Sequence, residues 1–426
     1  MAFFDSLLKG KKQTKSSKRK DEEKITFETL MRLFPIRNLS EEKLTTFAIK
    51  NKSEVLPANS TLFNINETTD SAIYLLRGTV TLADANGNSY EVESTEAKAK
   101  FPLSSGSVNT TTAVAKSEVS ILSVSQKIMS ITSEIKESSG FDIPEELSSS
   151  RLLQNFAHHF FGGEIEVPSL PIVAIKLRKA MRQEIGIDEA VKIIQLDPVI
   201  SAKLIEVANC PLYVSAVPAK SCFDAIKRIG LNATRSLVIT LSMKNVFKCR
   251  SKQIKKQMDQ LWKNSLHLSS LSYVLASVSK QSNPEEALLA GLVCDIGAVP
   301  FLNFVANLPS EEIDEEEVSK ALPVIKKLVG AHMLRKWGFA EDFIQVPLQS
   351  GSWYQYTEGP VSYTDIVVLS RLHSYVGKKE TTDLPMITSI PAASKLKNLT
   401  LSPENSLSIL HDAKDKINDA LKYFSS

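Results

Sequence analysis

The chain has 426 residues, which as a length suits two or three domains of ordinary size. Apolar residues make up 43% of it, enough for real cores, and a formal net charge of +3 is too near balance to point to a nucleic-acid partner. Cys210, Cys222, Cys249 and Cys294 stand without CxxC spacing, so neither a disulfide framework nor a zinc site is expected; the pattern fits reduced thiols in a cytoplasmic protein.

No run of about 18 apolar residues is read, so no transmembrane helix is expected. The N-terminus has the wrong order for a secretory signal, because Phe3, Phe4, Leu7 and Leu8 come before the basic residues. Residues 9–20 hold seven Lys or Arg and no acid. Such a run repels itself, and residues 1–25 read as a basic, disordered tail. A weak tether to anionic lipid, with the four apolar residues as its foot, is the alternative.

Residues 30–55 begin as a helical lead-in, with a helix start at Ser40, Glu41 and Glu42. From about 56 to 125 the chain turns β-like. The runs TLFNI, SAIYLLRG, TVTLAD, SYEV, TTAVA and VSILSV are separated by polar breaks, and Asn86-Gly87 marks a hairpin. Together, 26–135 predicts a small β-barrel of jelly-roll type with flanking helices. Residues 136–165 read as a linker. From 166 to 426 the apolar spacing is helical, as at Val173, Leu177, Ala180 and Met181. Asp197-Pro198 and Asn283-Pro284 offer N-caps, the second with Glu286 placed for a capping box, and Gly230 stands where a helix end is expected. The six acids within 311–317 read as a solvated loop or helix start.

An ordered set of short motifs runs through 160–410: Val167-Pro168-Ser169-Leu170-Pro171, Asp197-Pro198, Ala208-Asn209, Ile229-Gly230, Trp262-Lys263-Asn264-Ser265, Gly291-Leu292-Val293-Cys294-Asp295-Ile296-Gly297 and Trp337-Gly338-Phe339. In order and spacing this resembles the HDOD family, an all-α relative of the HD-type metal-dependent phosphohydrolases. The resemblance implies an output or interaction module in bacterial signalling. HD enzymes hold divalent metal with histidines and aspartates, and the metal supplies hydroxide and charge stabilisation. Position by position, the resemblance puts Asn264 at the early histidine, Cys294-Asp295 at the His-Asp pair and Ser350-Gly351 near the later histidines. Only Asp295 remains as a hard-metal ligand, so no catalytic, cofactor or metal residue is assigned. A rearranged site from His267, Cys294 and Asp295 is the alternative; otherwise His267 is a helix-surface residue and Cys294 a small buried apolar one. His158, His159 and His332 read as ordinary linker or surface histidines.

The β region resembles a cyclic-nucleotide-binding domain in LPANSTLF (56–63), AIYLLRGTVTL (72–82) and TAVAKSEVSILSV (112–124). The resemblance implies a phosphate cassette with an arginine near 109–111 and a ribose-binding glutamate. Asn109, Thr110 and Thr111 stand at the first, and Phe101-Pro102-Leu103-Ser104 lacks the second. Lys98, Lys100 or Lys116 offers a point charge and no bidentate fork.

The expectation is a non-catalytic, cytoplasmic bacterial signal-transduction protein, acting through a signalling partner on its helical domain, with no cofactor, nucleic acid or stable membrane insertion. A homo-oligomer is compatible with it. A cyclic-nucleotide receptor and a residual metal-dependent phosphohydrolase or phosphodiesterase remain as alternatives. Trp262 and Trp337 are expected to pack inside; Trp353 and Tyr354, in the polar run QSGSWYQYTEG, are expected at an exposed contact surface.

Overall fold

The computed structural model describes residues 22–131, 150–165, 167–181, 183–210, 213, 217–247, 252–309, 313–375, 384–397 and 410. The basic run 9–20, most of the linker, part of the acidic cluster and the last residues of the chain lie outside the described residues. Two compact units result. A β unit takes the N-terminal residues together with 352–361, the last turn of the helix ending at Tyr375, and 384–397; a helical unit takes 150–351 and 362–370. The continuous helical domain expected over 166–426 is therefore corrected, since part of its C-terminal third folds with the β region.

The β unit has strands β1 Glu22–Lys24, β2 Lys52–Leu56, β3 Thr61–Phe63, β4 Ser71–Arg77, β5 Thr79–Ala83, β6 Ser89–Glu93, β7 Thr112–Ala115 and β8 Val119–Ser125, of which β3 to β8 fall where the sequence pattern puts them. They form two antiparallel four-stranded sheets, in orders β1-β2-β8-β4 and β3-β7-β5-β6. The expected closed barrel is thus two sheets. Alternation makes the core, as β5 turns Val80 and Leu82 inward opposite Val92 and Tyr90 of β6. The Asn86-Gly87 hairpin forms with a longer loop than a two-residue primed turn. Only Gly87 takes positive φ (82°), and the Asp84 carboxylate accepts from the backbone N–H groups of Asn86 and Asn88. Residues 22–24, assigned to the tail by sequence, pair as a strand with β2. Three helices flank the sheets: α1 Phe27–Leu30, α2 Glu41–Lys50 and α3 Gln126–Ile131.

The helical unit runs through α4 Arg151–Phe161, α5 Ile172–Met181, α6 Ile187–Ile194, α7 Pro198–Ala208, α8 Cys222–Ile229, α9 Leu231–Ser242, α10 Lys252–Ser279, α11 Pro284–Val293, α12 Ala298–Val305, α13 Glu315–Lys336 and α14 Glu341–Gln349, and into α15 Tyr363–Tyr375. Capping explains several boundaries. Asp197 accepts from Val199 and Ile200 at 3.0 and 3.1 Å, with Pro198 opening α7. Ser221 and Asp224 form a capping box on α8 that the sequence reading missed. Asn283 caps α11, but Glu286 does not close the expected box. Its carboxylate is held instead by Arg235 at 2.6 Å and by the Tyr363 hydroxyl.

Pro284–Val305 is long and apolar enough to span a membrane, which corrects the reading that no such run exists; 83% of its most apolar window is buried inside the protein, as in a core helix. The stretch 151–161, expected within a linker, is helix α4. Its Phe156 is fully buried, with ring centroids 5.2 Å from Phe301 and 5.5 Å from Phe304. Replacing Phe156 by Ala removes this plug, and a loss of about 3–5 kcal/mol is expected for a buried Phe truncation. Chemical denaturation of the full chain checks it; a loss within error would mean that α4 is not part of the helical core.

Candidate functional site

The motif Gly291–Gly297 sits between three helices and sets how closely they approach. A Cβ at Gly291 would stand 2.8 Å from Ser269 Cα of α10, and one at Gly297 would stand 2.3 Å from Lys326 O and Gly330 N of α13. Both glycines are there because backbone passes where a side chain would go. The second approach has a chemical result. It brings Lys326 to Asp295, with Nζ 3.0 Å from Oδ1 and side chains only 23% and 14% exposed. The single hard-ligand carboxylate of the motif is thus already engaged by an ammonium.

The other positions have equally local partners. Cys294 is 1% exposed and its Sγ donates to the Gly291 carbonyl at 3.1 Å. Asn264 lies on the exposed face of α10 and accepts from Gln260 Nε2 at 2.8 Å. The residues of α10 turned inward are its neighbours Ser265, Leu268, Ser269 and Ser272, and Ser269 donates to the Leu288 carbonyl of α11 at 2.6 Å. Asn264 opens instead on a groove of about 610 Å³ lined by residues such as Leu261, Leu302, Val305 and Val318, with Glu315 its one carboxylate and no His or Cys. Ser350 is buried, and a Cβ at Gly351 would lie 3.3 Å from Lys327 Cε. Consecutive lysines of α13, Lys326 and Lys327, thus lie against Asp295 and Gly351. Among the described residues, no group of three or more His, Cys, Asp or Glu could hold a metal ion. A catalytic metal does not fit this donor set.

The remaining histidines have ordinary surroundings. His159 Nδ1 is 2.6 Å from Glu164 Oε2, and His332 packs edge-on against Phe160 at 5.3 Å. Burial, followed by Lys336 and Arg335, lowers the His332 pKa from its ordinary 6.5. Its neutral form favours the folded state, so its contribution is complete above pH 6.5 and is lost as pH falls towards the lowered value. A His332→Gln chain is expected to show a shallower fall in stability on acidification below 6.5; an unchanged slope would remove His332 from the account.

In the β unit the cassette positions are also engaged. Ser104 donates to Asn109 Oδ1 at 2.7 Å, and Phe101 stacks on Phe34 at 5.1 Å. Lys116 pairs with Glu91 at 2.6 Å, and Lys98 lies 5.9 Å over the Tyr90 ring. Trp337 is buried, donating from Nε1 to Pro168 O at 3.0 Å, while Trp262 is half-buried against Phe247 at 5.0 Å. Tyr354 corrects the expectation of an exposed surface. It is 3% exposed, and burial holds its phenol well above the ordinary range.

The comparisons agree with this architecture. A family model described as HDOD domain matches residues 167–350. Residues 167–350 form an HDOD domain. A solved structure from Shewanella amazonensis SB2B, assigned as a metal-dependent phosphohydrolase, is 23% identical over 64% of this chain and 98% of its own, with a TM-score of 0.56. An HDOD domain protein of unknown function from Geobacter sulfurreducens is 19% identical over 65% of this chain and 98% of its own, with a TM-score of 0.46. A cyclic nucleotide-binding-like protein from Brucella abortus matches the N-terminal region at 21% identity, over 25% of this chain and 95% of its own, with a TM-score of 0.21. No curated protein matches the chain. At these identities the likeness concerns the fold of the HDOD unit, and its chemistry rests on the residues above.

The ion pair is open to a direct test. Lys326→Ala leaves the Asp295 carboxylate half-buried without its ammonium, and a loss of about 1–3 kcal/mol is expected, discounted for partial exposure. Asp295→Asn in the same chain removes the uncompensated charge and should recover most of it. A double variant no more stable than Lys326→Ala would show that the charge is not the issue.

Proposed function

We propose that the protein is a non-catalytic signal-transduction component that works by docking a signalling partner on its HDOD unit. The observation that carries this reading is an exposed apolar surface on that unit. Nine large apolar side chains are exposed among the described residues, and six of them (Ile172, Ile175, Leu196, Val199, Val217 and Phe223) fall within 172–223. Cys222 Sγ lies 3.9 Å from Ser201 O, so the beginnings of α7 and α8 lie against each other, and Val199 and Phe223 stand in their first turns. Val199 is 65% and Leu196 57% exposed, and grouped apolar exposure of this kind marks interaction surfaces. Among the described residues Cys210, Cys222 and Cys294 are buried thiols outside any disulfide, which suits the reducing cytoplasm of a bacterial cell. The donor set supports the non-catalytic part, because Lys326 neutralises the one carboxylate that a metal would need.

The test is capture of the partner from the native cell with full-length bait. Leu196→Asp/Val199→Asp is expected to lose the proteins that wild-type bait retains while keeping the wild-type unfolding midpoint, because both side chains are solvent-exposed. Equal capture by both baits would refute this surface as the docking site.

A further inference from the structure

The β unit holds a peptide where the sequence places its nucleotide cassette. Met386 belongs to the apolar core with Val80, Leu82, Val92 and Ala99. Every residue from Met386 to Ala393 is buried. Polar contacts fix the register. The Thr110 hydroxyl donates to the Thr388 carbonyl at 2.5 Å, the Ser105 hydroxyl donates to the Ser389 carbonyl, and the Tyr90 hydroxyl shares a hydrogen bond with Thr388 Oγ1 at 2.9 Å. Lys395 Nζ donates to Thr357 Oγ1 at 2.6 Å, tying the far end to the other insertion of this unit. Gly106 lies against the segment so closely that a Cβ there would be 2.5 Å from Ser394 Cβ.

We propose that this face of the β unit is a peptide-binding site, that its ligand is the chain's own segment 386–394, and that this ligand keeps cyclic nucleotide out. The chemistry of the cassette follows from its occupant. A peptide carbonyl is a neutral acceptor and is satisfied by a neutral hydroxyl. An arginine in the same buried place would lose its hydration and find no anion, which is costly. Ser105 and Thr110 in a cassette with no arginine are thus donors suited to a peptide backbone. Pro391 is fully enclosed without cost in hydrogen bonding, since it has no N–H to satisfy. The apolar side chains Met386, Ile387 and Ile390 supply the burial.

Hydrogen exchange of the full-length chain tests this. In the wild type, 386–394 should be as protected as β5 and β7. Gly106→Ala should raise its exchange about tenfold or more through local opening, leaving β5 and β7 protected. Adding Ser394→Gly, which removes the atoms that the new Cβ meets, should restore protection. Should Gly106→Ala unprotect the strands as well, Ser105→Ala/Thr110→Val replaces it, with the same increase expected at 386–394 alone. Saturating cyclic AMP should leave the wild-type pattern unchanged. Fast exchange of 386–394 in the wild type, no response to either variant, or release of the segment by cyclic AMP would each overturn the proposal.

Discussion

The pairing of Asp295 with Lys326 is the constraint on which the reading of the helical unit depends. It exists because Gly297 lets α13 approach the segment joining α11 and α12 at backbone distance, as Gly291 lets α10 approach α11. The approach of α13 presents a monovalent ammonium on a flexible stem. One lysine matches one carboxylate, so the pair is locally neutral at this close approach.

A similar substitution of internal for external partners runs through the β unit. Ser105, Thr110 and Tyr90 are directed to the backbone and side chain of 388–389, and Lys98 and Lys116 to Tyr90 and Glu91. In each unit the polar groups at the positions where the sequence suggests a charged ligand have partners within the chain. Most exposed large apolar side chains of the HDOD unit gather on or beside its early helices, at Ile172, Ile175, Leu196, Val199 and Phe223.

Much of the fold was legible because it rests on local rules. The β-branched runs fixed six of the strands to within a residue or two, and Asp197-Pro198 and Gly230 marked helix boundaries by chemistry that acts over four residues. Non-local facts were hidden. Nothing in the polar run QSGSWYQYTEG announces that Tyr354 is buried, because the residues near it, Ser389 and Tyr74, are distant in sequence. Nor does the composition of 384–397 say that it belongs with a β unit some 270 residues earlier in the chain. The motif residues were legible, but not which of them face inward. Asn264 matches the motif position, but the inward face of α10 carries Ser265 and Ser269, and the 3.6-residue period turns Asn264 outward. Lys326 left no signal at all, since it lies 31 residues from Asp295 and meets it only through the close packing at Gly297.

Whether a lysine stands where a metal would bind is decided by elemental analysis of full-length protein purified without chelator and equilibrated with manganese, iron and zinc, for the wild type and for Asp295→Asn. Far less than one bound metal per chain is expected in both, with no difference between them. A stoichiometric metal in the wild type that disappears in Asp295→Asn would contradict this expectation.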